Sequence, residues 1–520
     1  MALQDLLKGT PAENLQLENI CATSIICTVI ALYMGYRLLK FTRKFLRIRS
    51  GLSTIPAAPG CNLFLGHVLE IFKANRKNMA AWDIMEQWVT SSLGPIVKCR
   101  ILGTWAVIVH KPQALKRIFQ TGYKIYEKDL ELSYHPFLPI LGTGLVTADG
   151  ALWQKQRILM GPALRADVLD DIIVIAHKCT SALCDKIEAF KKSGKPFDIE
   201  EEFRLLTLQV IGEAVLSLSP EECDKVFPVL YLPVMEEANR RVLRPYRKYL
   251  PIPEWFRFRS LVSQLNTYLI NYFRQRWQER ISGAKSARPR PDILDGIFDA
   301  IQENNEEWTP ALETQLCYEV KTFLLAGHET SATMLTWSTY ELARRGDVLE
   351  RIQAEAKDVF GPNNITPSRR QVDGMTYTFS VLKEALRRYS VVPVVTRRLA
   401  VDDELLGHKV PKGTMVICNV QATHNQFENP LVFDPERFMP GGEFDKFDDA
   451  VRPYVFVPFI QGPRNCLGQH LAMLEARVVL GLLHKRCRFE LAPSAKDVLR
   501  HPTVVPVGPM KRILVTAHDP

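Results

Sequence analysis

Pro458-Phe-Ile-Gln-Gly462-Pro-Arg464-Asn-Cys466-Leu-Gly468-Gln, followed by the helical run His470–Leu483, decides how the rest of the 520 residues are read. Gly462 and Gly468 allow tight bends and close backbone approach, so the stretch reads as a loop feeding a helix. Cys466 stands just before the helix start. There, backbone N–H groups and the positive end of the helix dipole favour a thiolate. A thiolate held in that way can ligate haem iron. Arg464, two residues earlier, is placed to pair with an anionic group such as a propionate. The default for one cysteine among eleven is a buried small hydrophobe, and no pair here has C-x-x-C spacing. The fixed spacing of Phe459, Gly462, Arg464 and Gly468 around Cys466 sets it apart from the other ten.

Hydrophobic residues are 47% and charged residues 24%, ordinary for a globular chain, which excludes disorder, collagen-like repeats and a polytopic membrane protein. Of the net charge of +9, six positives sit at Arg37, Lys40, Arg43, Lys44, Arg47 and Arg49 with no acid among them. The remainder is nearly balanced, which argues against a nucleic-acid-binding surface. The basic run follows Asn19–Tyr36, a stretch without a single charge. As a helix it spans about 27 Å, enough for a bilayer core. The positive-inside rule puts the bases in the cytosol and residues 1–18 in the lumen. A cleaved signal would carry its bases before the apolar run.

Gly51 to Gly60, with Pro56 and Pro59, reads as a stiff extended connector, so that 37–60 is a basic flank and hinge. Length alone suggests three or four domains of roughly 150 residues. No linker or repeat divides 61–520, which therefore reads as one catalytic body. Ser286–Pro291, rich in Arg and Pro, reads as a surface loop.

Inside that body, Ile96–Leu102 and Ala106–His110 alternate around Gly103-Thr104 as a hairpin does. From Gly150 to about Arg388 helical patterns dominate. The expected fold class is therefore mainly α with small β-sheets (α+β). Thr309 as N-cap and Pro310 at the first helical position start a helix that runs to the stop at Gly346, about 50 Å. Its apolar middle, TFLLAGHETSATML, holds Gly327, His328, Glu329 and Thr330, polar groups that need a partner or a purpose in a core.

Phe459, Gly462, Arg464, Cys466 and Gly468 meet in full the F-x-x-G-x-R-x-C-x-G signature of the cytochrome P-450 family of haem-thiolate monooxygenases, and the chain resembles that family from about residue 50 to 515. Further blocks follow in the family's order. Glu384-Ala-Leu-Arg387 resembles its E-x-x-R, two side chains on one helical face. Pro435-Glu-Arg437-Phe438 resembles the box whose arginine completes a buried structural triad. Ala326-Gly327-His328-Glu329-Thr330 is similar to the segment that crosses the distal haem face. The resemblance implies that Thr330 and Glu329 supply protons for O–O cleavage, and that Gly327 leaves room for dioxygen. The bland alternative for Thr330 is a hydroxyl bonded back to the carbonyl four residues earlier.

Trp153-Gln-Lys-Gln-Arg157 resembles the family's W-x-x-x-R, which grips a haem propionate. Arg397 aligns with a second propionate-binding arginine, with Arg398 beside it as the other choice. The implied fold is that of the family, a long central helix over the haem, preceded by one transmembrane helix. The implied cofactor is haem b (iron protoporphyrin IX), with Cys466 as the axial ligand of its iron.

The chain has no G-x-G-x-x-G after a strand, so no nicotinamide-binding fingerprint is present. The resemblance implies electrons from an NADPH-dependent flavoprotein reductase, with cytochrome b5 as a further donor, and residence in the endoplasmic reticulum membrane. Lys155 and Arg477 are expected on the reductase-facing surface. Pocket loops are expected at Tyr134–Phe137, Tyr231–Phe258, Phe323–Ala326 and Val391–Val395. They are mostly apolar, which points to a lipophilic substrate: a fatty acid, a terpenoid or carotenoid, or a sterol-like molecule. The alternatives are a non-oxygenating haem-thiolate isomerase or dehydratase, and a haem protein that binds ligand without turnover. The retained Glu329–Thr330 pair weighs against both.

Overall fold

The computed structural model describes residues 11–91, 93–164, 166–244, 246–283, 290–502 and 505–520, with side chains from Ser24 onward. The expected lumenal segment and the Arg/Pro-rich loop lie largely outside the described residues. Helices make up most of the body and the sheets lie at its margin. Strands β1 (Ile96–Ile101) and β2 (Thr104–Val109) form the expected hairpin, with Ile96 opposite Val109. β2 runs parallel to β8 (Met415–Asn419), which pairs with β5 (Val394–Leu399), and β3 (Tyr126–Lys128) closes the edge. A second sheet joins β4 (Phe197–Asp198), β10 (Leu514–His518) and β9 (Arg488–Leu491). β6 (Asp403–Leu405) and β7 (His408–Val410) make a short ribbon.

The central helix spans Pro310–Leu342. The Thr309 hydroxyl accepts from the Leu312 N–H at 3.2 Å, as the cap predicts. Its end falls at Ala343, short of the expected Gly346, which instead opens the next helix, Gly346–Phe360. A glycine carries no side chain to report which helix it belongs to, and the two helices follow almost without a loop. Twelve consecutive residues, Ser331–Leu342, are buried. Trp337 anchors them, stacked on Tyr389 with ring centroids 4.2 Å apart and its indole N–H on the Val507 carbonyl at 2.9 Å. Truncating Trp337 to alanine would cost about 3–5 kcal/mol. The central helix packs on Ile199–Leu216, on Pro253–Ile281 and on Gln469–Arg486, the helix that follows Cys466.

At the other end of the chain one unbroken helix covers Pro11–Gly51. The basic flank is thus helical to Gly51, because residues 37–50 contain neither proline nor glycine to break it. By length and composition Ser24–Gly51 can cross a membrane, and Ile25, Ile30, Leu32 and Leu39 stay exposed. Its last turns are not free of the body. Ile48 and Leu52 are buried, and Phe45 packs on Trp105 at 5.6 Å under the Arg100 guanidinium. A Cβ on Gly51 would stand 2.6 Å from the Pro411 ring, so only glycine fits there. Beyond it the chain turns through Leu52–Thr54, with Ile55 N–H donating to Leu52 O at 3.2 Å, and only from Pro56 is it tied to β1: Lys98 N–H donates to Pro56 O at 2.8 Å and Ala58 N–H to Lys98 O at 2.9 Å.

Candidate active site

The cysteine loop is fixed by its own backbone. Cys466 N–H donates to Phe459 O at 2.9 Å and Asn465 N–H to Gly462 O at 3.0 Å. Gly462 has φ +76°, and a Cβ there would collide with the Phe119 carbonyl oxygen. Ile460 takes φ +60°, an uncommon and strained conformation for a β-branched residue, which the packing of the loop must sustain. The Cys466 side chain is exposed. Crowding by the loop pushes its thiol up, while the Gly468 N–H and the Arg157 charge pull it back. A coordinating metal would displace that proton outright.

Next to this loop lies an excess of cations. Arg464 ion-pairs with Asp149, sits 5.1 Å over the Trp153 ring, and leaves its buried Nε without a partner. Arg397 is buried and bonds only its neighbour's carbonyl, Thr396 O, at 2.8 Å among the described hydrogen bonds. Arg398 is committed elsewhere, to Asp129 at 2.6 Å and Glu131 at 3.2 Å. Alternation along β5 puts the two arginines on opposite faces. Lys128 stands directly opposite Arg397 in the β3–β5 register. Burial, Arg397 and Arg464 together push its ammonium down to about 7. Sequence reading missed Lys128, because a lysine in a three-residue strand carries no signal until its strand partner is known.

Arg157 gives both terminal nitrogens to Asn465, at 2.9 and 2.6 Å, so here it braces the cysteine loop. Arg397, Arg464 and Lys128, with an orphaned guanidinium nitrogen, outnumber the nearby acids Asp149 and Glu319 and fit an anionic group. The two propionates of a haem whose iron meets Cys466 have that charge.

The structural triad assembles with one addition. Glu384 and Arg387, both fully buried, make a bidentate pair at 2.7 and 2.8 Å. Arg387 also donates to Pro430 O at 3.0 Å and to Val432 O at 3.2 Å, and Asp434 N–H donates to Glu384 at 2.9 Å. Arg437 approaches Glu384 only to 3.6 Å, and its closer partner is Glu443, which sequence reading did not single out. Arg477 is buried against Val372 O at 2.9 Å, which removes it from the expected partner-facing surface. Lys155 is exposed but pairs with Glu306.

On the central helix, the Thr330 hydroxyl donates to Ala326 O, the back-bond of the bland alternative. Glu329 is buried, and its carboxyl is pushed up by that burial against the pull of Arg204, 3.5 Å away. Arg204 lies on Ile199–Leu216, and nothing in its sequence context marks it. Gly327 turns its bare face to Ile211, where a Cβ would come within 2.7 Å, so the close approach it permits is between two helices. Ala326 is the exposed residue of that turn. His328 is fully buried, neither ring nitrogen meets a partner among the described hydrogen bonds, and burial pushes it down to about 3. The two helices flanking the site meet where Ser331 Oγ donates to Glu475 Oε2 at 3.1 Å.

The family model described as Cytochrome P450 matches residues 56–514. Cytochrome P450 4c21 of Blattella germanica is 26% identical over 468 residues, 86% of this chain and 89% of its own length. Cytochrome P450 4F4 of Rattus norvegicus is 27% identical over 520 residues, 95% of each chain. The chloroplastic protein LUTEIN DEFICIENT 5 of Arabidopsis thaliana is 28% identical over 415 residues, 75% of this chain and 67% of its own. With a family match across nearly the whole body and an exposed cysteine in the signature loop, the chain belongs to the cytochrome P450 family and is a monooxygenase.

Proposed function

We propose that the protein inserts one oxygen atom from dioxygen into a lipophilic substrate of the fatty acid, terpenoid or carotenoid, or sterol-like kind. The observation that carries this reading is the pairing of an exposed Cys466 with the cation-rich cradle beside it, in one body with Glu329 and Thr330. Cys466 would ligate the iron of haem b. Arg397, Arg464, Lys128 and Trp153 would hold its propionates, and Arg157 would keep the cysteine loop in place. When bound, the haem supplies the redox chemistry of oxygen activation, and thiolate ligation favours O–O cleavage.

The chain's own residues supply the rest. Thr330 releases its bond to Ala326 O and turns its hydroxyl to the reacting oxygen. Glu329, its carboxyl pushed up by burial, gives it a proton and is replenished from solvent beside the partly exposed Arg204. The apolar core around the central helix excludes bulk water, so protons arrive by this route. Glu384, Arg387 and Arg437 touch none of the chemistry and hold the loops beneath it.

Electrons would come from an NADPH-dependent flavoprotein reductase, with cytochrome b5 as a further donor. In this reading residues 19–36 span the endoplasmic reticulum membrane, 1–18 are lumenal, and 37–60 join the span to the cytosolic catalytic domain, 61–520. The test is the reduced carbon monoxide spectrum of the full chain, followed by NADPH consumption with reductase. The red-shifted Soret band of a thiolate ligand is expected, together with reductase-dependent oxygenation of a lipid. A spectrum without it, or turnover of a hydroperoxide with no need for reductase, would remove the monooxygenase reading.

A further inference from the structure

We propose that Glu200 reloads Glu329 with protons, as the solvent-side member of a two-carboxyl relay with Arg204 between them. The proposal rests on the monooxygenase reading and carries its proton supply one helix outward.

The helix Ile199–Leu216 lays one face on the central helix, and the contacts run in order. Ile211 fills the bare side of Gly327, the Thr207 hydroxyl donates to His328 O at 3.0 Å, and Arg204 Nη2 reaches Glu329 Oε1 at 3.5 Å. Positions 211, 207 and 204 thus face 327, 328 and 329. The same helical stripe continues to Glu200, one turn before Arg204. Arg204 therefore stands between two carboxyls, and the charges of both Arg204 and Glu329 act on Glu200.

The ordinary role of an acid in a first helical turn is to answer the helix dipole. Here the neighbours of Glu200 fill that role. Asp198 caps the helix, accepting from the Glu200 N–H at 3.1 Å, Glu202 pairs with Lys186 at 2.7 Å, and Glu201 is exposed. None of the described hydrogen bonds or ion pairs involves the Glu200 carboxyl. It lies instead beneath Gly508, where a Cβ would stand 3.0 Å from Glu200 Oε1. Glu200 is half-buried, so it is covered on one side and still open to solvent.

Burial pushes Glu200 up to about 7 against the pull of Arg204, and the charges of Asp198, Glu201 and Glu329 act in the same direction as burial. The segment above it brings His501, whose N–H donates to Gly508 O at 2.8 Å, and Arg512, 3.7 Å from Asp198. Near neutral pH such a carboxyl gives and takes a proton readily. Once Glu329 has passed its proton to the Thr330 hydroxyl, a carboxylate faces Arg204. Glu200 then releases its own proton, which crosses by way of water to Glu329, and Glu200 takes another from solvent. Bonds to hydrogen break and form in equal number, and no electron moves.

The test measures product and peroxide per NADPH consumed by the haem-loaded full chain with reductase. The lipid is whichever of laurate, cholesterol and β-carotene gives the native protein its largest Soret shift. Glu200→Gln should bind that lipid as before and lower product formation about fivefold, short of the about 10²-fold of a direct proton donor, with peroxide rising in its place. In a Glu329→Gln background the same change should add nothing, since both acids lie on one route. Glu200→His, which also carries a proton near neutrality, should recover most of the loss.

A second measurement needs no turnover. The infrared difference spectrum of the resting protein between pH 6 and 8 records the carboxyls that give up protons. Glu319 and Glu475, pushed up to about 7 and about 8, contribute in every variant, and Glu200→Gln should remove one carboxyl's share. Native coupling in Glu200→Gln overturns the relay, as do equal losses in the Gln and His variants, a further loss in the double variant, or an undiminished infrared change. A native protein without the carbon monoxide band, or without oxygenation, removes the monooxygenase reading, and the relay falls with it.

Discussion

In the backbone of the cysteine loop and in the Glu384–Arg387 pair the polar groups are answered more than once. Arg387 bonds a carboxylate twice and three carbonyls besides. The cysteine loop is closed by backbone bonds, and Asn465 is held by both Nη atoms of Arg157. Around Glu329 the opposite holds. The acid has one long contact to Arg204, the Thr330 hydroxyl is spent on its own helix, and neither ring nitrogen of His328 meets a partner among the described hydrogen bonds. The first region holds an atom still and is over-determined. The second must pass protons, and a proton moves only where hydrogen bonds can be exchanged. Under-partnered groups in a dry helix are the structural form of that requirement.

Breaking the first region should abolish the protein's character, and breaking the second should only slow it. Cys466→Ser is expected to remove the thiolate signature of the carbon monoxide spectrum altogether, which absorbance reads directly. Glu384→Gln leaves Arg387 buried without its charge partner and should cost about 3–5 kcal/mol, measured by denaturant unfolding. On the other side, Glu329→Gln should fold normally and lower product formation on the order of 10²-fold, with peroxide released in place of product. Arg204→Gln, acting through Glu329, should cost less than tenfold. If Glu329→Gln proved as destabilising as Glu384→Gln, the contrast between the two regions would not hold.

A pH-dependent effect is expected where the two regions touch. Burial pushes Glu475 up to about 8, opposed only by Ser331. The folded state therefore holds this proton more tightly than the unfolded chain does. Stability falls as pH rises from the ordinary carboxyl range, near 4.5, towards 8, and the change is complete above that. Glu475→Gln should flatten this slope, gaining on the order of 1–3 kcal/mol at the alkaline end. Thermal melts at pH 5 to 9 would show it, and parallel slopes in both proteins would argue against it.

The same contrast sets what could be read from the sequence. The cysteine loop, the Glu384–Arg387 pair and the central helix depend on neighbours close in the chain, so spacing, caps and glycines marked them. Lys128, Arg204 and Glu443 depend on strand register or on helix packing, which a single sequence does not display. Arg477 shows the converse error: a charge expected at the surface is buried by the turn that packs on it. Residue 346 was misplaced as a helix end for the related reason that a glycine breaks one helix and opens another equally well.

The docked end of the membrane helix has a practical consequence for anyone shortening this chain. Of the described side chains, Ser24–Lys40 are all exposed, so a cut just before Phe41 should yield a more soluble protein with its body intact. A cut at the prolines, where the motif invites one, would strip Phe45, Ile48 and Leu52 from Trp105 and Pro411, and leave a sticky apolar scar on the sheet. The place to sever this protein from its membrane lies inside the helix, some turns before the proline hinge.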